Sequence, residues 1–209
     1  MHEVFTFQYW IEFIAIIAFA VSGVTKGIRH QLDAIGVFAV AGLAAFGGGT
    51  LRDILLDRRP FFWVQNEEML WFVLGLVVFF MLFVRGHHLD RTDRAVQWPD
   101  ALGVGLFAAS GTHIAYGLGL PMFVAVLMGV VTAVFGGVLR DITCNDIPKV
   151  FRDHRPYALC AFLGGWVYIL TDASGFSAET GILISASAAT SLRLISMAFD
   201  IRIPAWRQN

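Results

Sequence analysis

Residues 46–53 read Phe46-Gly47-Gly48-Gly49-Thr50-Leu51-Arg52-Asp53, and residues 135–141 read Phe135-Gly136-Gly137-Val138-Leu139-Arg140-Asp141. Each copy sets glycines and then an Arg-Asp pair into a long apolar run. Glycine weakens a helix and charge is costly in apolar surroundings, so a doubled insertion of both needs a physical reason.

The surroundings are apolar throughout. The 209 residues are 57% hydrophobic and 15% charged, with 19 Phe and 6 Trp; an ordinary soluble domain carries about 25% charge. Runs free of charge occupy residues 34–51, 69–84, 101–139 and 156–171. A bilayer crossing needs roughly 17–25 such residues. The chain therefore reads as an all-α integral membrane protein with seven transmembrane helices. The spans fall near residues 10–27, 34–56, 68–84, 100–116, 121–143, 156–171 and 180–199. The connections are short and leave no room for a soluble domain, so residues 1–209 form one membrane domain.

Shifting the chain by 88 residues aligns 10–60 with 98–148 without a gap, and 14 of the 51 pairs are identical. They include Trp10/Trp98, Ser22/Ser110, Gly23/Gly111, Gly48/Gly136, Gly49/Gly137, Arg52/Arg140, Asp53/Asp141 and Pro60/Pro148. Biased composition yields chance Ala and Phe matches, but not a run of Gly-Gly-x-Leu-Arg-Asp-Ile followed by Pro. The first repeat, 10–87, and the second, 98–172, each hold three spans, with a seventh helix at 180–199. An odd number of spans makes the second repeat enter the membrane from the opposite side, giving inverted halves. Glycine-interrupted helices at matching positions of such halves point to a substrate or ion site.

Two readings of the glycines stay open. They can kink the second and fifth helices, freeing carbonyls that must face protein or a wet cavity. They can equally let two backbones approach closely. The charges favour a polar conduit. Four of them would cost about 10–14 kcal/mol at helix centres if nothing relieved them. Arg52 can snorkel, whereas Asp53 is too short and needs a partner. Neighbours in sequence do not share a helix face, so Arg52 is not expected to pair with Asp53. Ser22 and Ser110 lie at matched depth, facing the kinked helices or bonding back to their own. Lys26 and His113 read as helix-end anchors, and Arg193 as a side chain that snorkels to the cytoplasmic side or makes a helix–helix or subunit contact.

Lys and Arg set the orientation. With the N-terminus outside, Lys26, Arg29, Arg85, Arg91, Arg94, Arg140, Lys149, Arg152, Arg155, Arg202 and Arg207 lie inside, and only Arg52, Arg58 and Arg59 outside. That bias places the C-terminus in the cytoplasm of a bacterial-type inner membrane. His87, His88 and Asp90 read as a solvated loop. Cys144 and Cys160 make no disulfide framework. The glycine motif lacks the Lys-Ser/Thr of a phosphate loop. No enzyme, no cofactor, no resident metal and no nucleic-acid partner is expected.

Two GG-x-x-R-D segments on the second and fifth of seven spans resemble the prokaryotic branch of the trimeric intracellular cation (TRIC) channels, a domain also described as a glycine transporter. The resemblance covers essentially the whole chain. It implies a homotrimer in membrane lipid, conducting potassium or other monovalent cations through a pore in each subunit between the second and fifth helices. Carried over, it implies a path along Gly47, Gly48, Gly49, Thr50, Arg52 and Asp53, then Gly136, Gly137, Arg140 and Asp141, with Ser22 and Ser110 beside it. The second copy departs in having Phe135 where the first has Gly47. Inverted repeats alone suit a secondary transporter of a small solute such as an amino acid, and that alternative stands beside the channel.

Overall fold

A computed structural model describes residues 7–84 and 94–204; Arg85, His87, His88, Asp90, Arg91 and Arg207 lie outside them. The helices are α1 (Phe7–Arg29), α2 (Ala34–Leu55), α3 (Phe62–Gln65), α4 (Glu68–Phe83), α5 (Arg94–Gly117), α6 (Met122–Thr143), α7 (Lys149–Arg152), α8 (Ala158–Ala173) and α9 (Ala178–Ala198). The long helices agree with the expected spans to within a few residues, apart from the six-residue extension at the start of α5. The short helices α3 and α7 occupy connections read as loops. Neither α2 nor α6 is interrupted at its glycines.

Local chemistry sets the ends. Asp33 caps α2 by accepting the Gly36 N–H at 2.7 Å, and Ser177 caps α9 by accepting from Thr180. Gln31 and Gly119, and likewise Asp57 and Asn145, adopt positive φ. A left-handed residue after a helix turns the next N–H back onto the last turn. Leu32 thus bonds Gly27, Leu120 bonds Ala115, Arg58 bonds Asp53 and Asp146 bonds Asp141. Gln31 and Gly119, and likewise Asp57 and Asn145, are 88 residues apart although their residue types differ.

Helices α1, α2, α6 and α9 are long and apolar enough to cross a bilayer, and α4 and α8 are shorter apolar helices of 16 residues. The outward surface is apolar as well. Trp71, Phe79, Leu82 and Phe83 on α4 are all more than half exposed. Water would not tolerate so continuous a greasy face, whereas lipid solvates it. The protein is an all-helical membrane protein.

Inside, α1 and α5 pack antiparallel. Gln8 at the start of α1 donates to Ser110 near the end of α5 at 2.6 Å, while Ser22 near the end of α1 donates to the Val96 carbonyl at the start of α5. Between these contacts the repeat partners Phe19 and Phe107 stack, with centroids 5.6 Å apart. Helices α2 and α6 cross in the same manner, with Gly48 against Thr132 and Gly136 against Ala44. The centre is built from small residues, Ala41, Ala44, Ala45, Ala108 and Ala133, all fully buried. Small side chains bring backbones together where lipid supplies no hydrophobic drive between helices. Helix α9 packs against α8, with Ser185 donating to the Gly164 carbonyl at 2.7 Å.

Candidate functional site

Two buried charge networks flank the α2–α6 crossing, and the 88-residue shift maps one onto the other. In the first, the fully buried Arg52 donates from Nη1 to Glu12 Oε1 at 2.5 Å and from Nε to Asp53 Oδ1 at 2.9 Å. Ser110 Oγ donates to the same Glu12 oxygen at 3.0 Å. Asp53 Oδ2 accepts the Phe62 N–H at 3.0 Å, and the Phe62 ring lies 5.3 Å from the guanidinium carbon. In the second, Arg140 donates from Nη1 to Asp100 Oδ1 at 2.5 Å and from Nε to Asp141 Oδ1 at 2.9 Å. Nη1 also reaches Ser22 Oγ at 2.6 Å, and Asp141 Oδ2 accepts the Lys149 N–H at 2.9 Å.

Each network draws on both halves of the chain. Glu12 of α1 meets Arg52 and Asp53 of α2 beside Ser110 of α5. Asp100 of α5 meets Arg140 and Asp141 of α6 beside Ser22 of α1. Burying ions is costly, and only close pairing with further hydrogen bonds offsets it. Both triads have that arrangement, and each consists of one arginine between two carboxylates. Each therefore carries one negative charge in excess, which a fourth residue balances. Arg58 Nη1 lies 3.3 Å from Asp53 Oδ1 and is 39% exposed, whereas Lys26 Nζ lies 2.6 Å from Asp141 Oδ1 and is 7% exposed. The two ends of the molecule are thus alike in their triads and unlike in their closing cations.

Several expectations are corrected here. Arg52 and Asp53 do pair, as do Arg140 and Asp141. Adjacent side chains diverge by about 100° around a helix, but an arginine stem is long enough to curl around that angle. Arg52 does not snorkel; it is sealed inside. Arg193 is also buried, donating to the Pro156 carbonyl at 3.0 Å and to Asp153 at 3.3 Å. Lys26 is no end anchor but a buried bridge to Asp141 and to Asp146, 2.8 Å away. His113 Nδ1 lies 2.6 Å from the Tyr168 hydroxyl. Ser22 and Ser110 bond across the molecule, not back to their own helices. Glu12 and Asp100 were not singled out as site residues. Their signal was present: the shift aligns an acid with an acid, a match that a tally of identities omits.

The glycines have distinct surroundings. A Cβ at Gly48 would collide with the Thr132 carbonyl oxygen, and one at Gly136 with that of Ala44. Gly49 lies under the Phe62 ring, Gly137 beside the Tyr157 hydroxyl, and Gly47 against the Leu139 side chain. Thr50 Oγ1 donates to the Phe46 carbonyl at 2.8 Å and accepts the Trp63 indole N–H at 2.9 Å. Gly47 and Thr50 line an apolar cavity of about 310 Å³ shared with Trp63, Leu70 and Leu139. Beyond Lys26 lies a polar cavity of about 480 Å³. Asp146, at its edge, has its carboxyl held below the usual range, chiefly by the hydrogen bond from Lys26.

Comparison with known proteins follows the same outline. The family model described as "Glycine transporter" matches residues 9–85 and again 97–173. A UPF0126 membrane protein of Vibrio cholerae is 32% identical over 200 residues, 94% of this chain and 81% of that protein. The UPF0126 inner membrane protein YadS of Escherichia coli is 30% identical over 202 residues, 94% of either chain. Among solved structures, a TRIC channel orthologue from Rhodobacter sphaeroides superposes with a TM-score of 0.86 at 31% identity, covering 93% of this chain and 98% of that one. A prokaryotic TRIC channel crystallised in 0.5 M KCl gives 0.85 at 27% identity, covering 96% and 100%.

Proposed function

The chain belongs to the UPF0126 family of membrane proteins, and from that premise we propose that it is a monovalent cation channel of potassium type. In this reading seven helices cross the membrane as two inverted halves, residues 10–87 and 98–172, followed by 180–199. The N-terminus is outside and the C-terminus cytoplasmic. Each subunit of a homotrimer holds its own path, between α2 and α6.

The observation that carries the reading is the pair of triads, Glu12–Arg52–Asp53 and Asp100–Arg140–Asp141, one at each end of the α2–α6 crossing. Each has an excess carboxylate once its closing cation, Arg58 at one end or Lys26 at the other, swings aside, and in a low-dielectric setting that charge acts far more strongly than in bulk water. A cation is attracted at both ends, while the arginines hold the carboxylates in place. Between the ends, the Gly48 and Gly136 backbones pack directly against the Thr132 and Ala44 carbonyls. In the conformation described, the two helices touch there, a contact that in this reading closes the path. Parting them by a small hinge exposes carbonyl oxygens to the passing ion, the ligand type that replaces a potassium hydration shell. Gly47, Gly49, Thr50 and Gly137 flank this gate, and Ser22 and Ser110 steady the triads from across the molecule.

A carrier is the second reading, favoured by the family model's own description as a glycine transporter and by the antiparallel halves. Proteoliposomes separate the two. A channel gives potassium flux that rises with concentration without saturating in the millimolar range and is indifferent to glycine. Saturable glycine uptake with no such potassium flux would refute the channel.

A further inference from the structure

The apolar cavity of about 310 Å³ is walled by α2 and α6, by Trp63 of α3 and by Leu70 of α4. Leu43 and Ile54 belong both to its lining and to the exposed apolar surface, so its mouth faces hydrocarbon. Its side-chain polar atoms are spent: the Thr50 hydroxyl donates to the Phe46 carbonyl at 2.8 Å and accepts the Trp63 indole N–H at 2.9 Å. A water takes about 30 Å³ of liquid and needs two to four polar partners, so the space has room for water but nothing to hold it. Left empty, its lining atoms lose their dispersion contacts. The duplication sets the two halves apart here. Shifted by 88 residues, Gly42 becomes Val130, Gly47 becomes Phe135 and Thr50 becomes Val138. The second half carries bulkier apolar side chains where the first leaves room. Packing explains Gly47, whose Cβ would strike Leu139 Cδ1. It does not explain Gly42, where a Cβ meets nothing within 4 Å, although glycine weakens the helix that carries it.

We infer that this cavity is a binding site for a single acyl chain of a membrane lipid. The lining offers an occupant no hydrogen bond and no charge, and the mouth opens where lipid tails lie. A helix of a second subunit is too broad to enter: at 10–12 Å across, one turn of it fills about 500 Å³. A flexible run of methylenes enters end-on past Leu43 and Ile54 and restores the contacts that the void forfeits. Gly42 supplies the room for it. One consequence rests on the channel reading. Gly47 and Leu139 stand on either side of the cavity, next in sequence to Gly48 and Arg140, so a seated chain bears on the α2–α6 crossing from the lipid side. Parting the two helices widens the cavity, and a chain that follows removes the cost of the larger void.

The test places the purified full-length protein in nanodiscs of phosphatidylcholine with dibrominated acyl chains, and in nanodiscs of the unbrominated lipid. Bromine quenches an indole that it touches, and Trp63 in the cavity wall is the reporter; its share is the difference between wild type and Trp63→Phe. Trp71, exposed on α4, reports lipid at the outer surface in the same way through Trp71→Phe. Both are quenched in the wild type. Gly42→Phe fills the cavity and lowers Trp63 quenching at least twofold, while that of Trp71 is unchanged. Gly42→Leu, a smaller filling, moves Trp63 in the same direction and guards against a folding artefact. Trp63 quenching that neither variant alters means lipid at the outer surface only, and overturns the site. A Trp63 that is unquenched in the wild type overturns it as well, since a neighbouring subunit or nothing then covers the cavity. The readout needs no current: Trp63 quenching that Gly42→Phe relieves, in a protein that passes no cations, leaves the site standing and removes the channel, and current without Trp63 quenching does the reverse.

Discussion

Gly48→Ala is the sharpest perturbation of the α2–α6 crossing. The added Cβ meets the Thr132 carbonyl oxygen, a backbone atom that cannot rotate away as a side chain can. The two helices must therefore separate along their contact. Overpacking of this kind costs about 1–3 kcal/mol. Against it, replacing Gly by Ala inside a helix gains about 1 kcal/mol of propensity. The control lies on the same helix: at Gly42 a Cβ would meet nothing within 4 Å, so Gly42→Ala keeps the propensity gain alone. The two variants should differ by about 1–3 kcal/mol, or roughly 2–12 °C in Tm for a chain of this length. Gly136→Ala should behave as Gly48→Ala, because its Cβ meets the Ala44 carbonyl oxygen. Thermal unfolding in detergent, followed by tryptophan fluorescence, measures all three. Equal Tm values for Gly48→Ala and Gly42→Ala would refute the close backbone contact.

Glu12→Gln and Asp100→Asn each leave a buried arginine with one carboxylate fewer, so each should cost about 3–5 kcal/mol. Denaturant unfolding should find the two alike, and a surface-like effect under 1 kcal/mol at either would separate the networks. Cysteines placed at Arg59 and Arg152 should be labelled from the periplasmic and cytoplasmic side respectively; the reverse pattern overturns the orientation. The depressed Asp146 carboxyl gives a pH dependence of known sign. Its tie to Lys26 contributes stability above the ordinary carboxylate pKa, about 4, and loses it as pH falls through the lower folded value. The Tm difference between wild type and Asp146→Asn should therefore hold from pH 7 to 5 and close only below about pH 4. A gap that closes near pH 6 would contradict the pairing.

Uncharged apolar runs and duplication made the helices and their pairing legible. The shift by 88 residues announced two related halves, and Ser22/Ser110 and Arg52/Arg140 led directly to the networks. What stayed hidden did so for physical reasons. A missing Cβ serves a kink and a close crossing equally well, so Gly48 and Gly136 could not declare which until the Thr132 and Ala44 carbonyls were placed beside them. Glu12 and Asp100 differ by one methylene and fell outside the identities, yet they complete the triads. Arguing from Cβ directions excluded Arg52 from Asp53, although a long side chain is not bound by the direction in which it starts. Depth along a helix was also misleading: Arg193 and Lys26 sit near span ends but turn inward, because Asp153, Pro156, Asp141 and Asp146 from other elements supply their acceptors. Helix ends at Gln31/Gly119 and Asp57/Asn145 repeat in backbone geometry with little repetition of residue type, which no comparison of letters reveals.

The claim that a cation path runs through each subunit is tested most directly by single-channel recording. Purified protein is placed in a planar bilayer under a tenfold KCl gradient. The account predicts discrete unitary currents that reverse near the potassium equilibrium potential, about 59 mV in magnitude for a univalent ion at tenfold. It further predicts that Asp53→Asn and Asp141→Asn bend the current–voltage relation in opposite senses, since the two aspartates serve opposite mouths. Currents that reverse at the chloride potential, or a bilayer that stays silent while the same preparation accumulates glycine, would contradict it.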